Sequence, residues 1–267
     1  MIDEVLLDVS GVSLTLGDSL VIDDLSFRVI DRVRAGVVTG QVVGLLGPSG
    51  VGKTRLLRII AGLDAPDRGT VRGMNGAELP AGSVGFIFQD YPLLAHRTVL
   101  GNLLVAGEIR GLARREASKR AMDLLDTFHL ADRAESYPAQ LSGGQRQRVS
   151  IAQQIMRPRQ LLLMDEPFSG LDPVALASVM RLIVTVANLD ELNTVLLVTH
   201  DIRAAMAVSD TVHMLGRPRE DGRSKPGARV IHSYDMVERG LAWHEDIEKM
   251  PAFAELEHEI RGRFDEL

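Results

Sequence analysis

Gly47-Pro48-Ser49-Gly50-Val51-Gly52-Lys53-Thr54 sets glycines, a lysine and a hydroxyl in the order G-x-x-x-x-G-K-T. That order suits a polyphosphate. The glycines let backbone N–H groups converge on phosphate oxygens where a Cβ would obstruct them. The start of a helix adds partial positive charge. Lys53 is expected to reach the outer phosphates, and the Thr54 hydroxyl to ligate Mg²⁺. The motif needs a strand before it and a helix after it. Gln41–Leu46 is short, apolar and β-branched, and Arg55–Ala61 has helical potential. Gly62 suits the left-handed position just past a helix end.

Two carboxylates, Asp165 and Glu166, close a second apolar run, Gln160–Met164. A carboxylate at such a strand end, beside a phosphate loop, can hold Mg²⁺ through water. Glu166 is then placed to accept a proton from an attacking water, a role worth roughly 10²–10⁴ in rate. Without those neighbours, an Asp-Glu pair is more often a solvated loop. A third apolar run, Thr194–Thr199, delivers His200 to the same edge, where ligands of parallel sheets gather. Ser142, Gly143, Gly144 and Gln145 open a further helix and form a second surface suited to an anion. Asp172, ahead of Pro173, fits a helix N-cap.

The elements that must position these groups are legible in outline. Val5–Val9, Val12–Leu16 and Leu25–Val29 read as antiparallel strands, punctuated by Gly17-Asp18 and Asp23-Asp24. Further strands run to Val84–Gln89. From Thr98 to Tyr137 the pattern is helical, and residues 146–215 alternate helix and strand. Arg217 to Ala228 reads as a loop. Phe253, Leu256, Ile260 and Phe264 recur at helical spacing, as expected of a helix packed on the chain's own core.

With 267 residues, 45% of them hydrophobic, the chain can bury a sizeable core, and 4% aromatics make that core aliphatic. A net charge of -6 argues against broad nucleic-acid binding. The absence of cysteine excludes disulfides and Cys-ligated zinc. Met1–Glu4 lacks the basic start and apolar stretch of a signal peptide. No run approaches the ~18 apolar residues of a membrane span, so membrane association is expected through another protein.

The phosphate loop followed by Leu141-Ser142-Gly143-Gly144-Gln145 resembles the ATP-hydrolysing subunits of ABC (ATP-binding cassette) transporters. The resemblance covers about residues 5–235. It implies an α/β P-loop NTPase fold, with a mainly parallel core sheet, an N-terminal antiparallel β subdomain and a helical subdomain. The chain 1–267 would be one such domain: core over about 1–95 and 146–235, helical subdomain over about 96–145, and a helical extension over 236–267. It implies ATP and Mg²⁺, with Gly47, Pro48, Ser49, Gly50, Val51, Gly52, Lys53 and Thr54 around the phosphates and with Thr54, Gln89 and Asp165 at the metal. Gln89 would also touch the attacking water. His200 would contact the γ-phosphate and orient that water, joining Glu166 and Lys53 as the catalytic set. Asp172 resembles a loop that crosses to the opposite subunit.

The same resemblance implies a homodimer in which Ser142–Gln145 of one copy covers the nucleotide of the other. It further implies an integral membrane permease, a place on the cytoplasmic face of the inner membrane, and a periplasmic binding protein in the complete system. Three departures stand out. Leu16 occupies the place where the family stacks an aromatic on adenine, and Arg55 replaces a second hydroxyl. Ile30 to Gly40 is several residues longer than the matching stretch of the proteins this chain resembles, which implies an extended hairpin. Gln89–Leu94, Arg97–Val99, Asp165–Phe168 and Pro226–Val230 point to bacterial import, loosely of the nitrate, sulfonate and taurine group. Lipid or drug export and a soluble iron–sulfur assembly ATPase are the alternatives.

Overall fold

The computed structural model describes residues 4–31, 40–80, 82–88, 92–109, 111–156, 161–189, 193–221, 223–242, 246–264 and 267. Its strands are β1 (Val5–Leu16), β2 (Ser19–Ile30), β3 (Gln41–Leu46), β4 (Arg68–Gly73), β5 (Gly85–Ile87), β6 (Leu161–Asp165), β7 (Thr194–Thr199), β8 (Thr211–Gly216), β9 (Arg219–Glu220), β10 (Arg223–Ser224) and β11 (Arg229–Asp235). Its α-helices are α1 (Lys53–Ile60), α2 (Val99–Ile109), α3 (Arg114–Thr127), α4 (Gly143–Gln154), α5 (Pro173–Ala187), α6 (Ile202–Val208) and α7 (Pro251–Phe264).

The main sheet has the order β11-β8-β3-β7-β6-β5. All its neighbours run parallel except β11, which lies antiparallel on β8. Every residue of β3 and β7 is buried, because both sheet faces are covered. One face packs against α2–α5, through Leu103, Val149, Ile183 and Leu197. The other packs on α1 and on the second sheet, through Leu25, Leu56, Leu163 and Val198.

That second sheet, order β2-β1-β4, is antiparallel as expected. Its strands are longer than the sequence reading made them. β1 passes straight through Gly11, which takes φ 63°. β2 passes through Asp23-Asp24, which read as a break. Asp24 adopts φ 48°, and its N–H reaches Ser13 Oγ at 3.0 Å. Both irregularities are absorbed as bulges between paired strands, which the hairpin turn at Gly17 sets up. The expected 30–40 hairpin lies largely outside the described residues, as does Gln89. β5 ends at Ile87 rather than continuing to Gln89. The expected 217–228 loop carries the two-residue pairing β9–β10.

α7 buries Phe253, Leu256 and Ile260 against Met206, Met214 and Tyr234, the self-packing expected from its spacing. Gly62 takes φ 68° just past α1, and the Leu63 N–H bonds back to the Arg58 carbonyl at 2.9 Å, closing the helix.

His213 on β8 lies between the sheets. Its Nδ1 is 2.7 Å from Ser233 Oγ, and its ring sits 5.2 Å from that of Phe27. Burial pushes its pKa from 6.5 down to about 4. The unfolded chain therefore takes up a proton on acidification well before the folded chain does. The stability contributed is complete above about pH 6.5 and is lost as pH falls toward 4. At ~1.4 kcal/mol per pH unit, the loss over that window is roughly 3 kcal/mol. In denaturant titrations, His213→Gln should flatten the dependence of stability on pH across this window. A variant curve as steep as the parent's would contradict the assignment.

Candidate functional site

The site forms where β3, β6 and β7 end together. β3 leaves the core at Gly47, whose N–H bonds to the Thr199 carbonyl at 3.2 Å. A Cβ on Gly47 would come within 2.6 Å of the Leu215 carbonyl oxygen, so the chain passes too close to β8 for any larger residue. The loop then turns through Gly50 at φ 78° and Gly52 at φ 113°, conformations that favour glycine. Gly52 is the N-cap of α1, without a side chain to satisfy the first helical N–H groups. These donors face a cleft of about 420 Å³ lined by Ser49, Gly50, Gly52, Lys53, Thr54 and Glu166, with Leu16 and Val21 also on its wall. The geometry fits a polyphosphate at a helix start.

Lys53 is 5% exposed. Its ammonium donates to the carbonyls of Gly47 at 2.8 Å and Pro48 at 3.1 Å, and pairs with Glu166 Oε1 at 3.2 Å. The other oxygen of Glu166 lies 3.0 Å from Nδ1 of His200. Glu166 thus holds the two cationic or polar groups in one line across the strand ends. Its backbone takes φ 47°, a conformation that costs a non-glycine residue roughly 1–2 kcal/mol. The turn is held by its N–H on the Val198 carbonyl at 3.0 Å and by its carbonyl on the Ser169 N–H at 3.2 Å. The left-handed residue swings the carboxylate off the strand direction and toward the loop.

Asp165, one residue earlier, accepts a hydrogen bond from Thr54 Oγ1 at 3.0 Å. Its carboxyl sits above the usual carboxylate range. Burial is the main cause, the Glu166 charge adds to it, and the Thr54 hydroxyl and Lys53 oppose it. A hard cation beside it would reverse that shift. Among the described residues no group of three or more His, Cys, Asp or Glu could hold a metal. The pair Thr54–Asp165 still fits Mg²⁺, which keeps several waters and takes one or two carboxylates plus substrate phosphates.

Ser142 lies elsewhere. It caps α4 in a reciprocal box: its Oγ accepts from the Gln145 N–H at 3.3 Å, and its own N–H donates to Gln145 Oε1 at 2.9 Å. A Cβ on Gly143 or Gly144 would meet no atom within 4 Å. This corner is an open surface and does not line the Lys53 cleft. Asp172 caps α5, with Oδ1 accepting from Val174 and Ala175 at 2.9 and 3.0 Å. Arg55 also lines the cleft, and its guanidinium pairs at 3.3 Å with Asp64, just beyond the end of α1.

Two contributors escaped the sequence reading. Val21 adds to the apolar wall beside Leu16, which is 42% exposed. Gln147, 1% exposed, donates from Nε2 to the Pro167 carbonyl at 3.2 Å, tying α4 to the Asp165–Pro167 turn. A buried glutamine on a helix carries no local signal. Only the fold brings it to that carbonyl.

The model of the ABC transporter family matches residues 30–169. The chain is 38% identical over 248 residues to the methionine import ATP-binding protein MetN of Rhizobium meliloti, covering 85% of this chain and 69% of that one. It is 35% identical over 217 residues to the sulfate/thiosulfate import ATP-binding protein CysA of Mesostigma viride, covering 78% and 62%. The dimeric structure of an ATP-binding cassette in a post-hydrolysis state, bound to ADP and Pi, superposes with a TM-score of 0.67 at 26% identity, covering 86% of this chain and 99% of that one. The chain belongs to the ABC transporter family, and its mainly parallel sheet with an antiparallel β subdomain is the ATPase fold of that family. It spans 62% of the CysA relative and 54% of a second methionine import relative, from Rhodopseudomonas palustris. Among the described residues no helix is long and apolar enough to cross a membrane.

Proposed function

We propose that this chain is an ATP-hydrolysing subunit that energises import of a solute through a partner membrane permease. The observation that carries the reading is the Glu166 carboxylate, held between Lys53 at 3.2 Å and His200 at 3.0 Å beside a phosphate loop. Lys53 and the loop N–H groups of residues 47–54 bind and orient the β- and γ-phosphates of ATP. Glu166 accepts the proton of the attacking water, and His200 fixes that water's direction. Thr54 and Asp165 hold Mg²⁺, which when bound neutralises phosphate charge. Gln89, outside the described residues, is assigned to the same metal and water.

Ser142, Gly143, Gly144 and Gln145 serve the nucleotide of a second copy, and Asp172 faces that copy. The dimeric cassette that resembles this chain supports such an arrangement. Hydrolysis opens the pair, and a permease docked on both copies follows. In this reading the chain works on the cytoplasmic face of a bacterial inner membrane, with a binding protein delivering cargo. The relatives' names, sulfate, thiosulfate and methionine import, support uptake without narrowing it to nitrate, sulfonate or taurine. Affinity purification from detergent-solubilised membranes tests the proposal. One integral membrane protein should be recovered in constant ratio to the chain. Recovery with soluble scaffold proteins alone would overturn it.

A further inference from the structure

α6 begins two residues after His200, and it is short. Asp201 caps it through Oδ1 on the Ala204 N–H at 2.9 Å. Seven residues cannot fix their own direction by helix propensity. The direction of α6, and with it the aim of His200, must come from packing. Its inner face (Ile202, Ala205, Met206) joins a cluster that includes Phe253, Leu256 and Ile260 of α7 and Leu46, the residue before the phosphate loop.

On its outer side, Arg203 reaches across to the C-terminal segment. Its Nε lies 3.2 Å from Glu248 Oε1, its Nη1 lies 3.4 Å from Glu257 Oε2, and its guanidinium stands 5.7 Å over the ring of Phe253. Glu257 is itself held by Arg261 at 2.8 Å. A planar cation spanning two carboxylates and an aromatic face fixes rotation and translation together, which a single ion pair does not.

We infer that Arg203 is a positioning residue for His200, and that the segment 246–264 braces the hydrolytic edge of the site through it. The inference rests on the hydrolysis reading above. The Arg203 guanidinium is half-exposed, and ion pairs made by such a group add little stability, so Arg203 sets geometry more than it holds the fold. A small misplacement of a group that orients a reactant is costly in rate. The path is short and physical: α7 and residue 248, then Arg203, then α6, then His200, then Glu166.

Steady-state phosphate release by Arg203→Ala tests this in two backgrounds. With His200 present, kcat should fall about tenfold. The KM for ATP should stay within about twofold, and thermal unfolding within about 4 °C of the parent. In the His200→Ala background the same substitution should change the residual rate by less than about twofold, because it acts through a side chain already gone. If Arg203→Ala fails to fold, the double variant Glu248→Gln, Glu257→Gln is read the same way. An unchanged kcat, or the same fold-loss with and without His200, overturns the inference while leaving the ATPase reading intact. A parent protein that binds no ATP and releases no phosphate overturns both.

Discussion

Glu166→Gln is expected to stop turnover while ATP still binds. The amide keeps the size of the side chain and a hydrogen-bond acceptor for Lys53, which lies 3.2 Å away. It cannot take a proton. Loss of a general base costs roughly 10²–10⁴ in rate, and that is the fall expected in phosphate release. Binding of a fluorescent ATP analogue should stay within a few-fold, because the loop N–H groups and Lys53 are untouched. Removing the Glu166 charge also relieves Asp165, whose raised carboxyl it helps to sustain. The substitution should therefore not loosen the Thr54–Asp165 pair. Undiminished phosphate release would remove Glu166 as the base.

Ser142→Arg is expected to cripple hydrolysis without abolishing ATP binding by the single chain. Ser142 is exposed, does not line its own copy's cleft, and its side-chain oxygen bonds within the Gln145 capping box. An arginine there places a long side chain on the surface assigned to the second copy's nucleotide. Loss of the cap alone costs about 0.5–2 kcal/mol of stability. Ser142→Ala separates the two effects, since it removes the cap without adding bulk. Phosphate release should fall by about 100-fold in Ser142→Arg, the scale at which misplaced reacting groups are felt, and much less in Ser142→Ala. Equal losses in both variants would reduce the site to a helix cap.

Much of this site was legible because its residues sit at the ends of short apolar runs. β3, β6 and β7 are short runs dominated by Leu and Val, and their last residues fall at one sheet edge by topology. The capping role of Asp172 was local and could be read from spacing, whereas the Ser142–Gln145 capping box emerged only from the structure. What was not legible is long-range. No pattern in the chain brings Gln147 to the Pro167 carbonyl, or Arg203 to Glu257, fifty-four residues further on. The strand breaks expected at Asp23-Asp24 fail for a related reason. Turn residues mark where a chain can bend, but pairing with a neighbouring strand decides whether it does, and β1 holds β2 through that point. Arg55 is similar: its place after the phosphate loop left open whether it meets phosphate or turns away, and the fold sets it on the cleft wall with its guanidinium paired to Asp64 just past α1.

In the proposed dimer, one nucleotide is gripped by Lys53 of one copy and by the Ser142 corner of another. Light-scattering mass of Glu166→Gln, with and without saturating ATP, tests it most directly. The mass should be that of one chain without nucleotide and of two with it, and should return to one chain when Ser142→Arg is added. A mass that stays at one chain with ATP bound in equal amount would contradict it.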